Sequence, residues 1–85
     1  MHNQKEIAKQ LRQSRWWQNL IQECCCYYCQ KLLQKKEVTM DHIIPLARGG
    51  LSQRQNIVPC CKSCNSKKQD KTAAEFALEK ISHSF

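Results

Sequence analysis

The chain reads as a small α+β domain: a two-stranded hairpin running into a helix, with further helices at both ends. Three observations predict it. The chain has only 85 residues and carries seven cysteines. Four of those stand as Cys26-Tyr-Tyr-Cys29 and Cys61-Lys-Ser-Cys64, 31 residues apart. Short β-branched and apolar runs ended by prolines lie between them, and helix-compatible stretches lie outside.

Residues 4–22 contain neither Pro nor Gly and suit a single helix. At 100° per residue Ile7, Leu11, Trp17 and Ile21 gather on one side, which should pack on the rest of the domain, while Lys5, Lys9 and Arg12 line the other. A basic stripe of this kind is usually a solvated face. In a chain this basic it also stands as a secondary phosphate contact.

Residues 23–30 hold the first cysteine cluster. Val38 and Met40, extended by Ile43 and Ile44, then read as a strand ended by Pro45. The stretch ARGGLSQRQ is a loop in which Gly49 and Gly50 are free to take positive φ. Asn56, Ile57 and Val58 begin a second strand that Pro59 closes, and the residues after Cys64 start a helix. Thr72-Ala-Ala-Glu75 fits a capping box, opening a last helix to about Ile81 with Phe76 and Leu78 available for packing. The expected organisation is one domain: a basic amphipathic helix over 1–22, a clamped core over 23–70 and a C-terminal helix over 71–85.

A core this small rarely supplies more than about 3–5 kcal/mol of net stability, so a staple is expected. The N-terminal segment is polar and no apolar run approaches a membrane span, so the expected setting is cytoplasmic, without membrane association. There thiols bind metal more often than they form structural disulfides, and an odd cysteine count would leave one over. Two Cys-x-x-Cys knuckles complete a tetrahedral structural zinc site. Cys26, Cys29, Cys61 and Cys64 are the expected ligands. Cys25 with Cys29, and Cys60 with Cys64, are alternative pairs, and Cys24, Cys25 and Cys60 otherwise read as spare or core thiols.

The formal charge of +7 points to a polyanionic partner, with nucleic acid the usual one. Between the knuckles run Asp41-His42-Ile43-Ile44-Pro45, then Gly49-Gly50, then Asn56-Ile57-Val58-Pro59, and after them Cys61-Lys-Ser-Cys64-Asn65 and Lys67-Lys68. From about Cys26 to Lys68 this order resembles the HNH endonucleases, whose ββα-metal (His-Me finger) core is a hairpin followed by a helix. Asn56 stands at the family's middle Asn position. Asn65 stands where the last letter is often His, making this an H-N-N variant. Residues 1–22 lie outside the resemblance.

The resemblance implies metal-dependent hydrolysis of phosphodiester bonds in DNA, with RNA left open as a substrate. His42 is then the general base that activates water. Asp41 and Asn65 would hold a catalytic divalent ion, Mg²⁺ or Mn²⁺. Asn56 would fix the loop between the strands by hydrogen bonds to backbone, orienting His42. Lys67 and Lys68, with Arg48 from the loop, would hold phosphates. Neighbours on a regular strand point to opposite faces, so Asp41 and His42 share a site only if the strand bends or ends there. Cutting both strands at once with one site per chain would need a homodimer. The alternative is a zinc-stabilised nucleic-acid-binding module without cleavage activity; a redox or metal sensor using the surplus thiols rests on cysteine number alone.

Overall fold

The computed structural model describes residues 3–82. Its elements run α1 (Gln4–Gln13), α2 (Arg15–Leu20), β1 (Cys24–Cys25), β2 (Leu32–Leu33), β3 (Val38–His42), β4 (Ile57–Cys61), α3 (Lys62–Lys68) and α4 (Ala73–Ser82). β1 and β2 form a small hairpin, and β3 pairs antiparallel with β4 from Val38 opposite Cys61 to His42 opposite Ile57. β3, β4 and α3 are the expected ββα core, an α+β arrangement with helices at both ends.

The single helix expected over 4–22 is two helices. Asn3 caps α1, its Oδ1 accepting from the Glu6 N–H at 2.8 Å. At Ser14 the backbone leaves the helical region (φ −74°, ψ 155°). The Ser14 hydroxyl donates to the Leu11 carbonyl at 2.6 Å and accepts from the Trp17 N–H at 3.3 Å, ending one helix and capping the next. Serine competes for backbone in this way, so a run without Pro or Gly still breaks. The break lets Trp17 and Ile21 bury against Ile57, with Leu11, Trp16 and Met40 around them. Ile7 is only half-buried, while Lys5, Lys9 and Arg12 are exposed as expected.

Two further boundaries differ. β3 ends at His42, and Ile43 and Ile44 lie in a bend. β4 does not stop at Pro59 but continues to Cys61. The Pro59 carbonyl accepts from the Tyr27 N–H at 3.0 Å, on the side away from β3, so the ladder requires no donor at that residue. This bond also docks the first knuckle on the hairpin.

The second core cluster joins Cys26, Leu33, Cys60, Cys61, Cys64 and Phe76, with Val38 packed against both clusters. Thr72 and Glu75 form the expected capping box: Glu75 N–H to Thr72 Oγ1 at 3.2 Å and Thr72 N–H to Glu75 Oε1 at 3.0 Å. Phe76 is buried, but Leu78 is 63 % exposed and does not join the core. No helix among the described residues is long and apolar enough to cross a membrane.

Candidate functional site

The Sγ atoms of Cys26, Cys29, Cys61 and Cys64 all lie within 4.8 Å of one another, with Cys29 and Cys61 at 3.9 Å. A tetrahedral zinc with Zn–S near ~2.3 Å places its sulfurs roughly 3.8 Å apart, so the four thiols fit that ion. Two ligands come from the turn between β1 and β2, where Gln30 takes a positive φ of 64°. The other two come from the start of α3, where Cys61 caps the helix and its sulfur accepts from the Cys64 N–H at 3.3 Å. Burial raises the Cys26 thiol, but donors at Cys29, Cys61 and Tyr28 outweigh it and bring the pKa to about 6. A thiolate is therefore favoured at one corner, as metal ligation requires. The Cys25–Cys29 and Cys60–Cys64 pairings are not the ones assembled. Cys60 is fully buried and donates to the Cys61 carbonyl, Cys25 is exposed, and Cys24 is half-buried.

His42 stands at the end of β3, half-buried. Its Nε2 lies 2.9 Å from Ser52 Oγ. That hydroxyl also lies 2.7 Å from the Gln4 backbone carbonyl, and the Ser52 N–H donates to Gln4 Oε1 at 2.6 Å. A carbonyl oxygen only accepts, so the single Ser52 proton points to Gln4 and Ser52 Oγ accepts from His42. Nε2 therefore carries hydrogen, and in the neutral ring Nδ1 carries the open lone pair. Burial lowers the His42 pKa; Asp41 opposes this, and Lys68 and Arg12 add to it. The unprotonated ring, the form able to accept a proton, is favoured.

Asp41 has a different set of partners. It is buried, accepting from the Tyr28 hydroxyl on Oδ2 and facing the Lys68 ammonium at 3.4 Å from Oδ1. Lys68 is wholly buried and also donates to the His42 carbonyl at 2.9 Å. Asp41 thus engages the knuckle and α3, whereas the His42 side chain engages the 43–56 loop and α1. The strand alternation at this pair is kept. Burial raises the Tyr28 hydroxyl, and the bond to Asp41 adds to it, so the phenol stays protonated as donor.

Asn65 donates its amide to Thr39 Oγ1 at 3.0 Å, and Thr39 donates to the Cys60 carbonyl at 2.7 Å. Asn65 and Lys68, three residues apart on α3, thus meet Thr39 and Asp41, two apart on β3. The oxygens of Asp41 and Asn65 are of the hard kind that suits a divalent ion. As arranged, however, the set does not fit one: a divalent ion at Asp41 would adjoin a buried ammonium, and both carboxylate oxygens already have partners.

Asn56 spans the loop. Its Oδ1 accepts from the Ile44 N–H at 2.9 Å, and its Nδ2 donates to the carbonyls of Ile44 at 3.0 Å and Leu51 at 2.9 Å. The glycines beside it act differently from one another. Gly49 takes φ +88°, while a Cβ on Gly50 would fall 1.8 Å from the Ile44 carbonyl oxygen. Gly50 is therefore required by close approach rather than by a positive φ.

Of the expected phosphate contacts, Lys67 is exposed on α3. Arg48 reaches Glu75 of α4 at 2.9 Å. Lys68 lies inside the domain, on Asp41, rather than on the outer face that a phosphate contact needs. The sequence does not show Ser52 as the partner of His42, or Gln4 as the partner of Ser52, because nothing in the spacing of residues 4, 42 and 52 marks them. Tyr28 meets Phe76 edge-on at 5.2 Å and also anchors Asp41, two contacts that its place inside the first knuckle does not announce.

Comparison with known proteins agrees with this geometry. Residues 26–80 match the HNH endonuclease family. The CRISPR-associated endonuclease Cas9 of Corynebacterium diphtheriae is 38 % identical over 58 residues, and that of Actinomyces naeslundii 34 % over 58. Each match covers 67 % of this chain and 5 % of the relative, so the chain spans a small part of those proteins. The hairpin, the cysteine clamp and the matched segment coincide, and the chain belongs to the HNH endonuclease family.

Proposed function

We propose that this chain is a metal-dependent endonuclease that hydrolyses phosphodiester bonds in DNA, with His42 as general base. The observation that carries the reading is the His42 ring, held through Nε2 by Ser52 so that Nδ1 is the basic atom, at a strand end in a chain of a nuclease family. Phosphodiester hydrolysis needs a water made nucleophilic near neutral pH, and a neutral imidazole with one bare nitrogen removes its proton. Asn56 supports this role by tying both sides of the loop that delivers Ser52. Lys67, and Arg48 once released from Glu75, are the proposed phosphate contacts.

A divalent ion, when bound, supplies positive charge to the phosphate and the leaving oxygen. Assigning that ion to Asp41 and Asn65 requires the Lys68 ammonium to leave Asp41 Oδ1. A titration with Mg²⁺ or Mn²⁺ followed at the Lys68 Nζ resonance tests this: a resonance that does not respond while cutting develops would place the ion elsewhere.

The buried Asp41–Lys68 pair favours the second reading, a zinc-stabilised module that binds nucleic acid without cutting it, because the pair leaves no open carboxylate. One experiment separates the two. The zinc-loaded protein is incubated with supercoiled plasmid and Mg²⁺ or Mn²⁺, beside a reaction without added divalent ion and a folded His42→Ala control. Nicking or linearisation that needs the added ion and is lost in His42→Ala supports the nuclease. Tight DNA binding with no cutting supports the module, and cutting that survives in His42→Ala removes His42 from the role of base.

A further inference from the structure

We infer that α1, which lies outside the segment matched by the family, belongs to the catalytic apparatus: Gln4 and Ser52 are positioning residues that fix the tautomer of His42. The kinetic arm of this inference rests on the nuclease reading above; the hydrogen-bond chain does not.

The chain runs from backbone to base. The Gln4 carbonyl sits in the first turn of α1, 2.7 Å from Ser52 Oγ, and takes the only proton that hydroxyl has. Ser52 Oγ is then an acceptor facing His42 Nε2 at 2.9 Å. A hydroxyl left to itself rotates to suit either imidazole tautomer. Ser52 is not so placed: it is 7 % exposed, and its own N–H is held by Gln4 Oε1 at 2.6 Å. Two bonds from one α1 residue therefore set both the position of Ser52 and the direction of its proton. Without the Gln4 carbonyl the hydroxyl would be free to donate to Nε2, leaving hydrogen on Nδ1 and the wrong nitrogen bare.

The roles of the two residues differ in a way that can be tested. Replacing Gln4 by Ala removes Oε1 but keeps the carbonyl, whereas replacing Ser52 by Ala removes the acceptor. Ser52→Thr keeps the hydroxyl. The experiment is long-range ¹H–¹⁵N correlation of the His42 imidazole in the zinc-loaded 85-residue chain, together with steady-state cutting of a DNA duplex. Wild type, Gln4→Ala and Ser52→Thr are expected to show hydrogen on Nε2 and bare Nδ1. Ser52→Ala is expected to show both tautomers, and its kcat to fall on the order of tenfold or more, as enzymes lose rate when a catalytic histidine holds the wrong tautomer. Its KM should stay within about twofold, because Ser52 touches no phosphate in this reading.

Retention of the Nε2–H tautomer or of full kcat in Ser52→Ala overturns the inference. So does a mixed tautomer in the wild type. Should Ser52→Ala fail to fold, Ser52→Thr and Gln4→Ala still decide the matter, since hydrogen on Nδ1 in either contradicts the carbonyl-directed chain. A wild-type protein that cuts nothing, yet changes tautomer in Ser52→Ala, sinks the nuclease reading and supports the hydrogen-bond chain.

Discussion

At the scale of residues, the buried charge is the most consequential feature. Lys68 has 1 % of its side chain exposed and Asp41 6 %, and the ammonium also serves the His42 carbonyl. Removing one member of such a pair leaves the other charge uncompensated. Lys68→Met is expected to cost about 3–5 kcal/mol of unfolding free energy. Asp41→Asn combined with Lys68→Met should recover part of that, and urea melts of the zinc-loaded proteins would measure both. Equal midpoints for wild type and Lys68→Met would mean that the pair contributes nothing. The exposed carboxylate of Glu75 makes the opposite kind of case. The Thr72 N–H and hydroxyl, and then Arg48, lower its pKa from 4.5. A carboxylate whose folded pKa lies below its unfolded value adds stability above the unfolded pKa and loses it as pH falls through the folded one. Glu75→Gln should therefore melt below wild type at neutral pH, with the gap closing as pH drops beneath 4.5. A gap that persists at low pH would trace to shape rather than charge. None of the partners of Asp41 or His42 was legible in sequence order. Tyr28, Ser52 and Lys68 are ordinary residues in ordinary places, and only the folded chain brings them to the two catalytic candidates.

At the scale of elements, legibility followed how local the cause was. The capping box at Thr72 and the two Cys-x-x-Cys knuckles are set by spacings of three residues, and the structure has both. The break at Ser14 depended on a hydroxyl choosing backbone over solvent, and the passage of β4 through Pro59 depended on which side of the ladder faced β3. The first uses bonds only three residues long, yet a continuous helix was equally open to the same residues until Trp17 and Ile21 packed on Ile57; the second is tertiary outright, and periodicity encodes neither. The 43–56 loop shows the same division. Its glycine pair marked a turn, but the reason for Gly50 is the Ile44 carbonyl pressed against its Cα, with Asn56 Nδ2 3.0 Å from where a Cβ would stand. Gly50→Ala must push that backbone or the Asn56 amide aside. A loss on the order of 2–3 kcal/mol is expected, the upper range for overpacking. Gly49→Asn, at a positive φ that Asn tolerates, should cost much less. Thermal melts of the two variants side by side would check the order, and a reversed order would mean the loop relaxes away from Ile44.

At the scale of the whole molecule, the question is whether the four-cysteine clamp, once it holds zinc, orders one corner or the entire chain. Four of the six buried residues in one core cluster are cysteines, three of them proposed ligands. Without metal that cluster would rest on Leu33 and Phe76, with Tyr28 and Val38 beside them, and on small thiols. Burial raises the Cys64 thiol to about 12, and Cys60 is also raised by burial, so these groups stay protonated and add no ionic bonding of their own. The other cluster, around Trp17, Ile21 and Ile57, contains no ligand, yet Val38 packs against both. Val38 lies opposite Cys61 on the hairpin, so loss of order at the clamp reaches the tryptophan cluster through a single pair of strands. Structural zinc contributes roughly 10–16 kcal/mol in small metal-folded peptides, more than the ~3–5 kcal/mol a core of this size supplies. Stoichiometric removal of zinc is therefore expected to unfold the chain in one transition, with near-UV ellipticity and Trp fluorescence changing together with far-UV helicity, and to be reversed by zinc. Mg²⁺ should not restore the fold, since a four-thiolate site suits zinc and not a hard cation. If chelation left the Trp17 environment intact while the knuckle loosened, the two clusters would be independent folding units. α1 and α2 would then hold His42 and Ser52 in place without the metal.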